Sequence, residues 1–154
     1  MITLTLPYPI SANRYWASRV INKGGKFMAL TYVTSAAKEF KEDVGWRAKA
    51  AGVRTPIAGR VAIDVKLYPS RPQDFATRMR KFGPSWDDTV MCLDLDNCHK
   101  VLLDAIKGVV IEDDKWVRRI TSERMEPDQH PARMVVTIAP ISIVTPQASL
   151  LEAA

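Results

Sequence analysis

Residues 94–108 read Asp94-Leu95-Asp96-Asn97-Cys98-His99-Lys100-Val101-Leu102-Leu103-Asp104-Ala105-Ile106-Lys107-Gly108. Leu95, Val101, Leu102, Ala105 and Ile106 recur at helical spacing and make one apolar face. Asp96, Lys100 and Asp104 follow at i, i+4 and i+8 on roughly the opposite face, with Asn97 beside them. Asp94 falls at the N-cap, where free backbone amides and the helix dipole favour a carboxylate. Gly108 is placed to end the helix. Val109 to Ile111 then lead to a second acidic group, Glu112, Asp113 and Asp114.

Strand patterns flank this helix. Arg60 to Tyr68 is the clearest, with Val61, Ile63, Val65 and Leu67 alternating with Ala62, Asp64, Lys66 and Tyr68. Ile2, Leu4 and Leu6 alternate with threonines. Trp116 to Thr121 and Met134 to Ile138 read as two further strands. Pro7, Pro9, Ser11 and Asn13 make a loop. Gly24-Gly25 marks a turn before a short strand at Lys26–Val33. Ser35 to Ala51 is predicted as a second long helix, capped by Ser35, with Ala37, Phe40, Val44 and Ala48 on its inner face and Gly52 ending it. Residues 69–90 hold three prolines, one glycine and four basic residues without a sustained period. They are predicted to form a long irregular connection, a kind that is often functional.

A chain of 154 residues with 47% apolar and 25% charged residues is most simply one folded domain. The formal charge is +5 and the pI about 9.4, which points to a polyanionic partner. Basic residues gather at Arg14, Arg19, Lys23 and Lys26, at Arg71, Arg78, Arg80 and Lys81, and at Arg118, Arg119 and Arg124. Against that background the acidic cluster stands out. Two carboxylates about 4 Å apart repel by roughly 4 kcal/mol at an effective dielectric of about 20. A divalent metal commonly offsets such repulsion when all the ligands are oxygen. No run of about 18 apolar residues is present, so no membrane span is expected. The N-terminus lacks a basic region and a cleavage site and reads as a strand. The two cysteines, Cys92 and Cys98, are read as reduced thiols of a cytoplasmic protein.

Each part of the acidic constellation has a plainer reading. Asp94 can be only an N-cap, and Asp96–Lys100 only a surface pair worth about 0.2–0.5 kcal/mol. Asp113-Asp114 can be a turn between strands. Those readings leave unexplained why so many carboxylates could converge. Cys92, Cys98 and His99 fit no common zinc spacing, and the only other histidine is His130. Asp94-Leu95-Asp96 lacks the preceding hydrophobic strand, and the following Thr or Val, of a haloacid-dehalogenase nucleophile. Walker A and Gly-x-Ser-x-Gly motifs are absent. Trp46 and Trp116 are read as core residues and not as base-stacking platforms.

Asp94-Leu95-Asp96-Asn97-x-x-Lys100, then Asp104-Ala105, then Asp113-Asp114, resembles the RusA family of Holliday junction resolvases. The stretch Leu6-Pro7-Tyr8-Pro9-Ile10-Ser11-Ala12-Asn13-Arg14-Tyr15 is similar to the family's opening, Pro-x-Pro-x-x-x-Asn-Arg and an aromatic. The likeness spans roughly residues 2–140. It implies a single α+β domain over 1–140, a small mixed sheet with two main helices packed on it, followed by a tail at 141–154. It further implies a homodimeric, Mg²⁺-dependent endonuclease of phage or prophage origin that nicks opposing strands of a four-way DNA junction. Mn²⁺ is the expected substitute metal. By position Asp94, Asp96 and Asp114 match the metal-binding aspartates, Lys100 the essential lysine, and Asp113 is an adjacent candidate. Asn13, Arg14, Tyr15 and Asn97 are then expected to contact DNA, together with Arg78, Arg80 and Lys81 of the long connection. Two features depart from the family pattern. Cys92-Leu93 precede Asp94 where a basic residue or proline is common, and the 69–92 connection is longer than usual.

The chemistry is coherent without the name. Phosphodiester hydrolysis needs an activated water and a stabilised phosphorane, which carboxylate-held Mg²⁺ and a nearby lysine can supply. A two-fold dimer would present two such sites to two scissile strands. Two other readings stay open: a broader Mg²⁺-dependent nuclease or phosphatase, and a junction-binding protein without turnover.

Overall fold

The computed structural model describes residues 1–143. Along the chain run β1 (Ile2–Pro7), α1 (Ala12–Tyr15), β2 (Trp16–Lys23), β3 (Lys26–Val33), α2 (Ser35–Ala50), β4 (Val61–Tyr68), α3 (Phe75–Phe82), α4 (Leu95–Ile106), β5 (Val117–Arg124) and β6 (Arg133–Pro140). Four strands form one sheet in the order β1-β6-β4-β5. β6 is antiparallel to both β1 and β4, whereas β4 and β5 are parallel, so the sheet is mixed. The architecture is the expected small α+β domain. Residues 144–154, which hold most of the expected tail, lie outside the described residues.

Period-two sequence decides which face is buried. Leu4 and Leu6 of β1, Val61, Ile63, Val65 and Leu67 of β4, and Met134, Val136 and Ile138 of β6 form the inner face. Ala37, Phe40, Val44 and Ala48 of α2 close over it, as do Val101, Leu102, Ala105 and Ile106 of α4. Truncating one such aliphatic, Leu102 for example, to alanine should cost about 2–5 kcal/mol. The outer face is polar: Thr3 and Thr137 hydroxyls lie 3.1 Å apart, and Thr121 Oγ1 donates to Asp64 at 2.6 Å. Parallel strands cannot be joined by a hairpin. The β4–β5 crossover therefore carries α3, a 3-10 segment at Gly83–Thr89 and α4, and lays α4 on the core.

Three expectations need correction. Thr34 caps α2 in place of Ser35, accepting from Ala37 N–H at 3.3 Å. Trp46 is 69% exposed, because the buried stripe of α2 runs through Phe40, Val44 and Ala48 and leaves position 46 on the outside. The 69–90 connection is ordered. Arg78 ties its helix down through Asp74 at 2.9 Å and the Thr89 carbonyl at 2.8 Å. The buried Trp86 indole donates to Glu126 at 2.8 Å, and Arg124 donates to the Asp87 carbonyl at 2.9 Å.

β2 and β3 pair only with each other, in a ribbon from Trp16↔Val33 to Lys23↔Lys26. β2 was not foreseen. Val20, Phe27 and Met28 on this ribbon are exposed. No helix among the described residues is long and apolar enough to cross a membrane.

Candidate active site

The N-terminal end of α4 is held by the first loop of the chain. Tyr8 Oη accepts from Leu93 N–H at 2.8 Å and donates to Cys92 Sγ at 3.6 Å. Burial pushes the Tyr8 phenol up to about 12, against the opposing pull of the Leu93 amide, so it stays protonated at neutral pH. Asp94 follows as N-cap with extended backbone, but its side chain makes no capping bond. Asp96 stands in the first helical turn. Both carboxylates are exposed, and neither enters an ion pair among the described residues. They are free oxygen donors beside the positive end of a helix.

One turn on, Lys100 is exposed and joins no ion pair among the described residues. The surface pair Asp96–Lys100 is thus not formed. Asp104 is held instead by Lys41 of α2, at 3.1 Å, and by the Tyr15 hydroxyl. Burial, then the Asp104 carboxylate, drives the Tyr15 phenol far above its ordinary range. His99 Nε2 is buried without a partner. Burial lowers the His99 pKa against the opposing charge of Asp96, which keeps the ring neutral at pH 7. Asn97 is half-buried on the same turn.

The second acidic group sits elsewhere. Lys107, at the C-terminal end of α4, reaches Asp113 Oδ2 at 3.2 Å and Asp114 Oδ1 at 3.0 Å. The Lys115 amide donates to Asp113 at 3.0 Å. That amide, Asp114 and Lys107 together hold the Asp113 carboxyl down at about 2. Lys107 is pushed up in return, first by Asp114 and then by Asp113. From Asp96 to Lys107 the helix axis runs roughly 16 Å at about 1.5 Å per residue. The anticipated convergence of Asp114 on Asp94 and Asp96 is therefore not seen. Among the described residues no three His, Cys, Asp or Glu side chains form a metal-ready group. The physical reason is local: Lys107 already offsets the repulsion between Asp113 and Asp114, and it tethers them to the far end of α4.

The N-terminal motif is divided. Asn13 and Arg14 are exposed, and Ser11 caps their short helix through Asn13 N–H at 3.3 Å. Tyr15 is buried, so it supports α4 from below and cannot reach DNA as expected of it. On α3, Arg80 and Lys81 are exposed while Arg78 is engaged with Asp74 and Thr89. Reasoning from sequence missed Lys107, Lys41 and Tyr8. Only Lys107 carried a signal, a cation just past the helix end and ahead of an acidic turn.

No curated protein matches the chain. The family described as endodeoxyribonuclease RusA matches residues 7–139, a span that includes the Asn13-Arg14-Tyr15 loop, all of α4 and the Asp113-Asp114 turn. The chain belongs to the RusA endodeoxyribonuclease family.

Proposed function

We propose that the protein is a structure-selective DNA endonuclease that resolves four-way junctions by paired nicks on opposing strands. Its setting is recombination and repair, and its source a phage or prophage. The observation that carries this reading is the pair Asp94 and Asp96, unpartnered and exposed at the start of α4, one turn from an unpaired Lys100. Family membership supplies the endonuclease class.

The all-carboxylate donor set fits a hard divalent cation such as Mg²⁺, with Mn²⁺ as a substitute. Asp94 and Asp96 would hold it; Asp114, held by Lys107 at the other end of α4, would join them only through a rearrangement of the 112–116 turn. Such an ion supplies positive charge at the phosphate and a water of lowered pKa. The side chains do the rest. Lys100 stands ready to donate to a non-bridging phosphate oxygen as charge builds there. Arg14, Arg80 and Lys81 offer contacts to flanking phosphates, which offset repulsion between DNA and the acidic site. Asn13 and Asn97 can donate to the backbone near the cut.

A homodimer is part of the reading. An isolated two-stranded ribbon is marginal in water. β2–β3 nonetheless exposes Val20 and Phe27 on one face and Met28 on the other, and apolar side chains left exposed on both faces of a ribbon fit an interaction surface. Isologous contact there would supply two sites for two strands.

A substrate panel tests the proposal. Labelled four-way junction, matched linear duplex and a generic phosphatase substrate are incubated with protein and Mg²⁺. Symmetric nicks in the junction alone are expected. Equal cutting of duplex, phosphatase turnover, or binding without nicks would contradict it.

A further inference from the structure

A cavity of about 890 Å³ opens between the N-terminal loop, the turn at 70–72 and the segment 89–93. Its walls are largely apolar, with Ile10, Val90, Leu93 and Ala132 among them, and Arg14 and Arg71 also line it. No Asp or Glu does. Leu93 immediately precedes Asp94, so the cavity borders the free carboxylate pair. The wall is fixed where it meets the site, because Tyr8 holds the Leu93 amide. Arg71 is steadied by the Phe75 ring, 4.1 Å from its guanidinium carbon. Neither Arg14 nor Arg71 has an ion-pair partner among the described residues.

A third lining cation, Arg78, is taken up by Asp74. The volume, the apolar walls and two arginines outside any ion pair among the described residues suit a ligand with a flat apolar part and an anionic part. Small-ligand pockets span about 300–1,000 Å³ and combine an apolar lining with a few placed polar groups. A nucleotide has both parts, and DNA is the polyanion that a nuclease presents to this surface. We infer that the cavity takes one unstacked nucleotide of the strand being cut, base against Ile10, Val90 and Leu93, phosphate at Arg14 and Arg71. Unstacking a base costs a few kcal/mol in intact duplex and least where stacking is already broken. A branch point is such a place. The cavity is then a determinant of which nucleotide step is cut, separate from the groups that hydrolyse it. This inference rests on the nuclease reading above.

The test is a scan with 2-aminopurine, which brightens when it leaves the base stack. Junctions carry the probe at successive positions around the mapped cut, and full-length protein is added in EDTA so that nothing is cleaved. One position beside the cut phosphate is expected to brighten several-fold. Ala132→Phe fills the cavity and Arg71→Glu reverses charge at its lining. Both are expected to abolish the brightening and to weaken the parental preference among cut sites by roughly tenfold or more. Arg71→Glu alters a partly exposed side chain, so it remains informative if Ala132→Phe fails to fold. A parent that cuts junctions while no position brightens overturns the inference and spares the nuclease reading. So does an unchanged cut-site preference in Arg71→Glu, or variants that alter only sedimentation, which would mark a protein-docking groove. A parent that neither binds nor cuts junctions overturns both.

Discussion

The hydroxyl of Tyr15 donates to Asp104 Oδ2, and so joins the Asn13-Arg14-Tyr15 loop to helix α4 across 89 positions of sequence. Lys41 reaches the same oxygen at 3.1 Å from α2. Three segments thereby meet on one carboxylate, and the bond fixes the loop that carries Arg14 against the helix that carries Asp96 and Lys100. Tyr15→Phe keeps the packing and deletes the donor. A hydrogen bond to a charged group contributes about 1.5–3 kcal/mol, so the guanidinium midpoint should fall accordingly, with an unchanged slope. An unaltered midpoint would reduce this contact to an incidental one.

The basic side chains of α3 should separate into two kinds. Arg78 is tied to Asp74 and Thr89, so Arg78→Ala should lower the melting temperature and leave the salt dependence of DNA binding nearly parental. Arg80 and Lys81 are exposed. Each alanine variant there should cost one phosphate contact and lower the log–log salt slope by about one unit on a duplex arm. Fluorescence anisotropy over a salt series reads this directly. A double Arg80→Ala, Lys81→Ala variant with parental slope would remove α3 from the DNA footprint.

How much of this was legible in the sequence follows from burial. α4 was readable because Leu102, Ala105 and Ile106 must face the core and the charged residues must not. β4 was readable for the same reason at period two. β2 was not, because its ribbon is exposed on both sides and nothing imposes alternation on Trp16–Lys23. α3 has Phe75, Met79 and Phe82 at helical spacing, but its 8 residues, closed in by Pro72 and Gly83-Pro84, are too few to dominate a window. At the candidate site, local spacing places Asp94 at the start of α4 and Asp96 and Lys100 on its polar face, and only the likeness to the family motif marks them as site residues. Whether Asp114 joins them depends on where β5 starts relative to α4, which is tertiary information. The role of Tyr15 inverted for the same reason: an aromatic after Asn-Arg gives no hint of which side it faces.

Asp128 and Arg133 form a two-pronged pair, with contacts of 2.9 and 2.6 Å, at the entry to β6. Arg133 holds the Asp128 carboxyl well below the usual carboxylate range. A depressed folded-state pKa stabilises the protein above the unfolded value, about 3.9, and the gain is lost as pH falls through the folded value. Asp128→Asn should therefore melt below the parent by the same margin at about pH 7 and pH 5, and by a smaller one at about pH 3. A margin that grows on acidification would have the wrong sign for this pair.

Lys100 joins no ion pair among the described residues, so Lys100→Ala should leave the melting temperature essentially unchanged. Its loss should appear in single-turnover cleavage, by roughly 100-fold or more, as for removal of a transition-state charge stabiliser. The deficit should persist at saturating protein and Mg²⁺, which separates chemistry from binding. Lys100→Arg should recover only part of the rate, because a guanidinium fork differs in reach and hydration from an ammonium. Cleavage by Lys100→Ala at the parental rate would leave this lysine an ordinary surface residue.

We propose that the carboxylates of Asp94 and Asp96, joined by Asp114 when it is released from Lys107 and the 112–116 turn rearranges, run metal-assisted cleavage of junction DNA. The direct measurement is single-turnover cleavage of a four-way junction, labelled on both opposing strands, by the parent and by Asp94→Asn, Asp96→Asn and Asp114→Asn, each over a Mg²⁺ titration. Asparagine keeps the shape and removes the ligand charge. The parent should nick both strands symmetrically, with a rate that saturates in Mg²⁺. Each variant should bind the junction as tightly as the parent or tighter, and cut it at no Mg²⁺ concentration. Full cleavage by Asp114→Asn alone would confine the site to Asp94 and Asp96 at the start of α4. Full cleavage by Asp94→Asn or Asp96→Asn would contradict the account at its foundation.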